Sequence, residues 1–184
     1  MTVLTLLAAF VLAPEAPIQG GVALSDVKGQ MHNALAIPPG RKLVAFVFIT
    51  NDCPISNAYA PEMNRLVAEY GKEGVAFSLV HVDRTLSNEA AAKHAKEFGF
   101  QCRVLMDPKH VLVKRLEATI TPEAAVVDAK GTLLYRGRID DRYADLGKLR
   151  PPRTRDLRDA LEAALAGKPV PAPRTAAIGC LIPK

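Results

Sequence analysis

The sequence predicts an α/β protein built around a largely parallel sheet. Residues 43–49, LVAFVFI, form a nearly continuous apolar run, the pattern of a strand buried on both faces. Beyond it, strand-like runs alternate with stretches of helical spacing, as βαβ units require.

The elements follow in chain order. Cys53 comes after a short polar bend; apolar residues then recur at Tyr59, Met63, Leu66, Val67 and Tyr70, a helical spacing that Gly71 stops. Residues 75–82 are the next strand, and Ser87 caps a helix through Ala91 and Ala95 to Phe98, closed by Gly99. A short strand over 103–106 leads into Asp107-Pro108 and a helix reaching Leu116. Residues 124–127 and 132–138 flank the tight turn Asp128-Ala129-Lys130-Gly131, an antiparallel hairpin for the sheet's edge. Thr154 caps a last helix with Leu157, Leu161 and Leu165 on one face and Gly167 beyond it. The order βαβ, an inserted αβα, then ββα is that of a thioredoxin-like fold.

A chain of 184 residues supports one domain. With 49% apolar and 23% charged residues it is neither disordered nor repetitive. Residues 1–16 read as a signal peptide: an apolar core over 3–13, too short to span a bilayer, is followed by small residues and a proline, although no Lys or Arg precedes it. The expectation is an exported, periplasmic protein, or a cytoplasmic one if the segment is instead a buried strand, with no stable membrane insertion. The domain proper spans 17–167. Residues 168–184 form an arm, extended by prolines at 169, 171 and 173, that ends in the apolar Ile178-Gly179-Cys180-Leu181-Ile182 and docks back on the body.

The net charge is +5, and much of the excess lies over 136–158, where eight basic residues face four acidic ones. A lone Tyr143 among them offers no stacking platform, so a nucleic-acid partner is not expected and a solvated surface is the plain reading. The three cysteines, Cys53, Cys102 and Cys180, leave at least one free thiol, and the scattered histidines suggest no structural metal; thiol chemistry would require no organic cofactor.

Cys53, in FITNDCPIS, is the candidate reactive group. A thiol attacks as thiolate, and a helix N-terminus stabilises that anion through unpaired N–H groups; Pro54 suits the first turn of such a helix. Packing is the competing reading, since cysteine is among the most often buried residues. Ser56 stands where a C-x-x-C motif would place its second thiol. Thr121-Pro122, before a buried strand, is a place for a cis peptide that would present backbone to Cys53.

Three segments carry a resemblance: FITNDCPISNAYAPEMNRLVAEYGKEGVAF, VLMDPKHVLVKRLEATITPEAAVVDAKGTLLYRGRIDD and RDLRDALEAALAGKPVPAPRTAAIGCLI. They resemble the peroxiredoxin-like redoxins of the alkyl hydroperoxide reductase/thiol-specific antioxidant superfamily from about residue 24 onward, most specifically in YRGRIDD and the PVPxPxTxxIGCxI tail. The resemblance implies a thioredoxin-like fold with a peroxiredoxin-type αβ insertion and an extended C-terminal arm. It also implies Cys53 as reactive thiol, Pro122 as cis-proline and Cys180 in the tail motif. Of the peroxiredoxin Pro-x-x-x-Thr-x-x-Cys motif the chain keeps Thr50 but has Phe46 for the proline. Thr121-Pro122 stands where peroxiredoxins place an arginine, for which Arg136 or Arg138 is the substitute.

The leading expectation is a thiol-disulfide oxidoreductase of peroxiredoxin-like character. Cys53 attacks a protein or small-molecule disulfide, or a peroxide; Cys180 resolves the adduct through its tethered arm; an external thiol reductant such as a thioredoxin-type protein reopens the disulfide. Cys102 is read as packing. One alternative is a copper-handling factor in which Cys53, Cys180 and His81 converge. Another is a redox-silent module that recruits a partner through 150–158.

Overall fold

The computed structural model of the protein describes residues 20–182. The expected signal peptide, residues 1–16, lies outside them. At the centre β3 (Leu43–Ile49) pairs in parallel with β4 (Val75–His81), which pairs in parallel with β5 (Arg103–Met106). Every residue of β3 is buried because its alternate side chains enter two different cores. Ala45, Val47 and Ile49 meet Met63 and Leu66 of α2 (Ala60–Tyr70) and Leu157 and Leu161 of α5 (Asp156–Leu165). Val44, Phe46 and Phe48 join Leu112, Val113 and Leu116 around α4 (Val111–Arg115). A strand with helices on both sides has no solvent face, which is why the run is apolar without interruption.

The hairpin of β7 (Glu123–Asp128) and β8 (Leu133–Gly137) forms one edge of the sheet, as expected. Its turn is held by the Asp128 carboxylate, which accepts from the amides of Lys130 (2.9 Å) and Thr132 (2.8 Å). The other edge is a hairpin of β1 (Ala23–Asp26) and β2 (Met31–Asn33), antiparallel to β5, which the sequence reading omits. Strands of four and three residues leave too few positions for an alternation to register. The seven-stranded sheet is therefore mixed, with the parallel strands at its centre.

Ser87 caps α3 (Asn88–Glu97) as expected, accepting from the Ala90 amide at 3.2 Å. Two helix assignments need correction. The helix after Cys53 is two helices, α1 (Pro54–Ala58) and α2, broken at Tyr59 because Pro61 has no N–H for the Asn57 carbonyl. Thr154 does not cap α5: Arg155 holds the cap position without a side-chain bond, and the Thr154 hydroxyl donates to Asp156 at 2.7 Å.

Two small pairings complete the fold: β9 (Tyr143–Asp145) with β10 (Lys148–Leu149), and β6 (Ile120–Thr121) with β11 (Cys180–Leu181) at the end of the arm. The arm docks on the body, as its apolar end suggests. Among the described residues no helix is long and apolar enough to cross a membrane.

Candidate active site

Thr50, just past β3, and the bend Asn51-Asp52 deliver Cys53 to the start of α1, where the residue is 1% exposed. Its backbone is extended (φ −77, ψ 108), so the Cys53 sulfur itself accepts from the Ser56 amide, at 3.5 Å, as a helix cap does. The thiol donates to the Thr121 carbonyl at 3.2 Å. Thr121-Pro122 is a cis peptide, as anticipated, and the Thr50 and Thr121 hydroxyls meet at 3.4 Å. Behind this loop the buried Glu123 accepts from the amides of Thr119 (2.7 Å) and Ile120 (3.2 Å), which fixes β6.

The arm reaches the same place by a seam of close contacts. The Arg136 amide donates to the Pro173 carbonyl (3.0 Å) and the Thr175 amide to the Arg136 carbonyl (3.1 Å). The Thr175 hydroxyl accepts from the Arg138 amide (3.1 Å) and bonds the Tyr135 hydroxyl (2.7 Å). Thr175 also lies on Gly137, where a Cβ would be 2.1 Å from its Oγ1. At Gly179 a Cβ would stand 2.0 Å from the Thr121 carbonyl oxygen, so only glycine lets the arm pass there. The next residue, Cys180, pairs with Thr121, whose hydroxyl donates to the Cys180 carbonyl at 3.4 Å. YRGRIDD and the tail motif are thus the two sides of one seam.

That seam brings Cys180 beside Cys53, since both bond Thr121, and both cysteines are unbridged. Burial pushes the Cys53 thiol up, but the polar groups around it, Cys180, Ser56 and Thr121, outweigh burial and leave the pKa below the ordinary thiol value. Burial, together with the adjoining Cys53 sulfur, pushes Cys180 up to about 12. The Ser56 hydroxyl is buried without a hydrogen-bond partner, close to the Cys53 sulfur that its own amide caps.

A second set of bonds clamps the loop around Cys53. Asn51 donates its amide to Asp83 (3.3 Å), and its carbonyl accepts from the Asn57 side chain (3.0 Å). Asn57 Oδ1 meets His94 Nε2 at 2.9 Å, His94 Nδ1 meets His81 Nε2 at 3.2 Å, and His81 Nδ1 meets Asp83 at 3.1 Å. Burial and the neighbouring His81 hold the His94 pKa below its usual range.

Five of the expected site residues, Thr50, Cys53, Thr121, Pro122 and Cys180, are therefore brought together. Arg138 is not among them: its guanidinium is bound to Asp156 (2.9 and 3.1 Å) and Thr154 (3.3 Å), and no contact joins it to Cys53. Arg136 bonds the Glu117 carbonyl. Nor does His81 converge on the thiols, because both its nitrogens face Asp83 and His94. Among the described residues no three His, Cys, Asp or Glu side chains form a metal-holding group. Cys102 is half-buried, and burial raises its pKa to about 11. Sequence reasoning missed Ser56 as a donor, and Glu123, Thr175 and Gly179 as the residues that place β6 and the arm. The glycine and threonine of the tail motif carried that signal.

Residues 14–148 match the Redoxin family. No curated protein matches the chain. An uncharacterized conserved protein from Geobacillus kaustophilus is 27% identical, with a TM-score of 0.78 over 95% of this chain and 94% of that one. A hypothetical protein from Sinorhizobium meliloti 1021 is 23% identical, with a TM-score of 0.77 over 94% of each chain. A secreted disulfide oxidoreductase of Mycobacterium tuberculosis, homologous to DsbE of E. coli, is 20% identical, with a TM-score of 0.52 over 61% of this chain and 80% of that one; the last two are likenesses of fold.

Proposed function

The chain belongs to the redoxin family, and from that premise we propose that it is a thiol-disulfide oxidoreductase in which Cys53 attacks and Cys180 resolves. The observation that carries this reading is that both cysteines bond the same residue: the Cys53 thiol donates to the Thr121 carbonyl at 3.2 Å, and Cys180 on the docked arm is the strand partner of Thr121. The Cys53 thiolate attacks one sulfur of a substrate disulfide; that bond breaks, one substrate half leaves as thiolate, and the other stays linked to Cys53. The change also activates the second step. Burial and the Cys53 sulfur together hold Cys180 protonated, and once Cys53 is in a mixed disulfide the charge on that sulfur is gone. Cys180 then loses its proton and attacks the Cys53 sulfur; the mixed disulfide bond breaks, the remaining substrate half leaves and takes up the proton as a thiol, and the 53–180 disulfide closes. An external dithiol reductant reopens it.

A disulfide is favoured over a peroxide because peroxide cleavage needs cationic donors at the departing oxygen. Arg136 and Arg138, the two candidates, are bound to Glu117 and Asp156. The test is to oxidise the reduced protein with one equivalent of a small disulfide or of hydrogen peroxide, block free thiols and map peptides by mass spectrometry. A dominant Cys53–Cys180 link, formed faster by the disulfide, is the expected result. A stable adduct on Cys53 with Cys180 free would end the two-thiol reading.

A further inference from the structure

The basic stretch 150–158 has no part in the thiol chemistry, yet it builds a groove. Between α2, the β9–β10 hairpin and the start of α5 lies a groove of about 550 Å³ lined by five arginines, Arg65, Arg142, Arg150, Arg155 and Arg158, against two carboxylates, Glu62 and Asp140. Four of the guanidiniums, all but that of Arg155, are held from behind. Arg142 lies over the Tyr59 ring, 4.5 Å from its centroid, and bonds Asp140 at 2.6 Å. Arg158 lies over Tyr70 at 5.3 Å and bonds Glu69 at 2.5 Å; Arg150 bonds Asp141 at 2.5 Å. Glu62 is shared, 2.5 Å from Arg65 and 3.7 Å from both Arg142 and Arg158.

Cationic donors therefore outnumber the acceptors available to them. Arg155 is exposed, makes no side-chain hydrogen bond or ion pair among the described residues, and interacts only through space with Glu69 and Asp159. Planar guanidiniums already held in place lose little entropy on binding a carboxylate and bind it through two bonds. The rim adds an apolar element: Leu149, which lines the groove, and Leu146 on the same hairpin are 66% and 64% exposed.

We propose that this groove docks an acidic segment of a partner protein, one that places carboxylates on the arginines and an apolar side chain on Leu146 and Leu149. A free small anion would satisfy the arginines but leave both leucines in water. Charge complementarity and the leucine rim together select a peptide-like occupant.

The test is fluorescence anisotropy with the full chain and a fluorescein-labelled peptide of Glu-Glu-Leu repeats. Binding that weakens with salt is expected, together with a loss of about tenfold or more in Arg155→Glu and about threefold in Leu149→Ser. Arg155→Glu removes no hydrogen bond of the fold, so it is expected to keep the native circular dichroism spectrum. Lys28→Glu, on the β1–β2 turn at the far edge of the sheet, should bind as the unmodified protein does. No peptide binding, or an equal loss in Lys28→Glu, would overturn the proposal. So would displacement of the peptide by an equal concentration of citrate, which would make the ligand a small anion.

Discussion

Cys53, buried, and Cys102, half-buried, are two thiols whose surroundings do opposite things. Cys102, at the entrance to β5, is the more exposed of the two, yet burial raises its pKa to about 11 against a single backbone donor from Leu79. Cys53 is 1% exposed and also raised by burial, but its polar neighbours Cys180, Ser56 and Thr121 bring it below the ordinary value. The difference lies in the donors. A thiol buried among apolar groups stays protonated and inert, whereas one ringed by donors is held closer to its attacking form.

The sharpest way to break the comparison is to remove each sulfur. Cys53→Ser is expected to lower disulfide reduction by at least ~10³-fold, to background, in a turnover assay with a small disulfide and a dithiol reductant. Next comes Gly179→Ala, whose methyl cannot fit 2.0 Å from the Thr121 oxygen and must lift the arm. Iodoacetamide should then alkylate Cys53 about tenfold faster at equal thiolate content, equivalent to ~1.4 kcal/mol of lost docking.

Cys180→Ala takes away one donor and leaves burial in place, so the pH midpoint of Cys53 alkylation should move upward. The thiolate then forms only as the pH climbs through a higher value, and the rate at neutral pH falls. In the same titration Cys102 should react with a midpoint near 11, well above Cys53. Thr175→Val removes the bonds to Tyr135 and Arg138 and should cost about 1–2 kcal/mol in urea unfolding. Cys102→Ser should change turnover by less than about twofold.

Much of the fold was legible because it is written in local periods. β3 with its two-sided burial, the Ser87 cap of α3 and the 128–131 turn each depend on residues within a few positions of one another. The misreadings were also local, and each came from hydrogen bonds that pattern alone does not show. Pro61 could break a helix only by withholding its N–H from Asn57, and Thr154 read as a cap until Asp156 took its hydroxyl. In the site, Cys53 was legible from its place between a buried strand and Pro54. Arg138 was legible only as a cation; its commitment to Asp156 depends on how β8 meets α5.

By itself the sequence determined an α/β sheet with a thiol at the end of its central strand, because hydrophobic period and helix-start chemistry act over a few residues. It also marked YRGRIDD and the tail as distinctive, without saying that they touch. The tertiary structure alone decided that Thr175 fits over Gly137 and that Gly179 passes the Thr121 carbonyl. With those contacts made, Cys180 comes to rest beside Cys53. The pKa of a buried thiol depends on which donors surround it, and here the second thiol arrives only when the arm closes against β6 and β8.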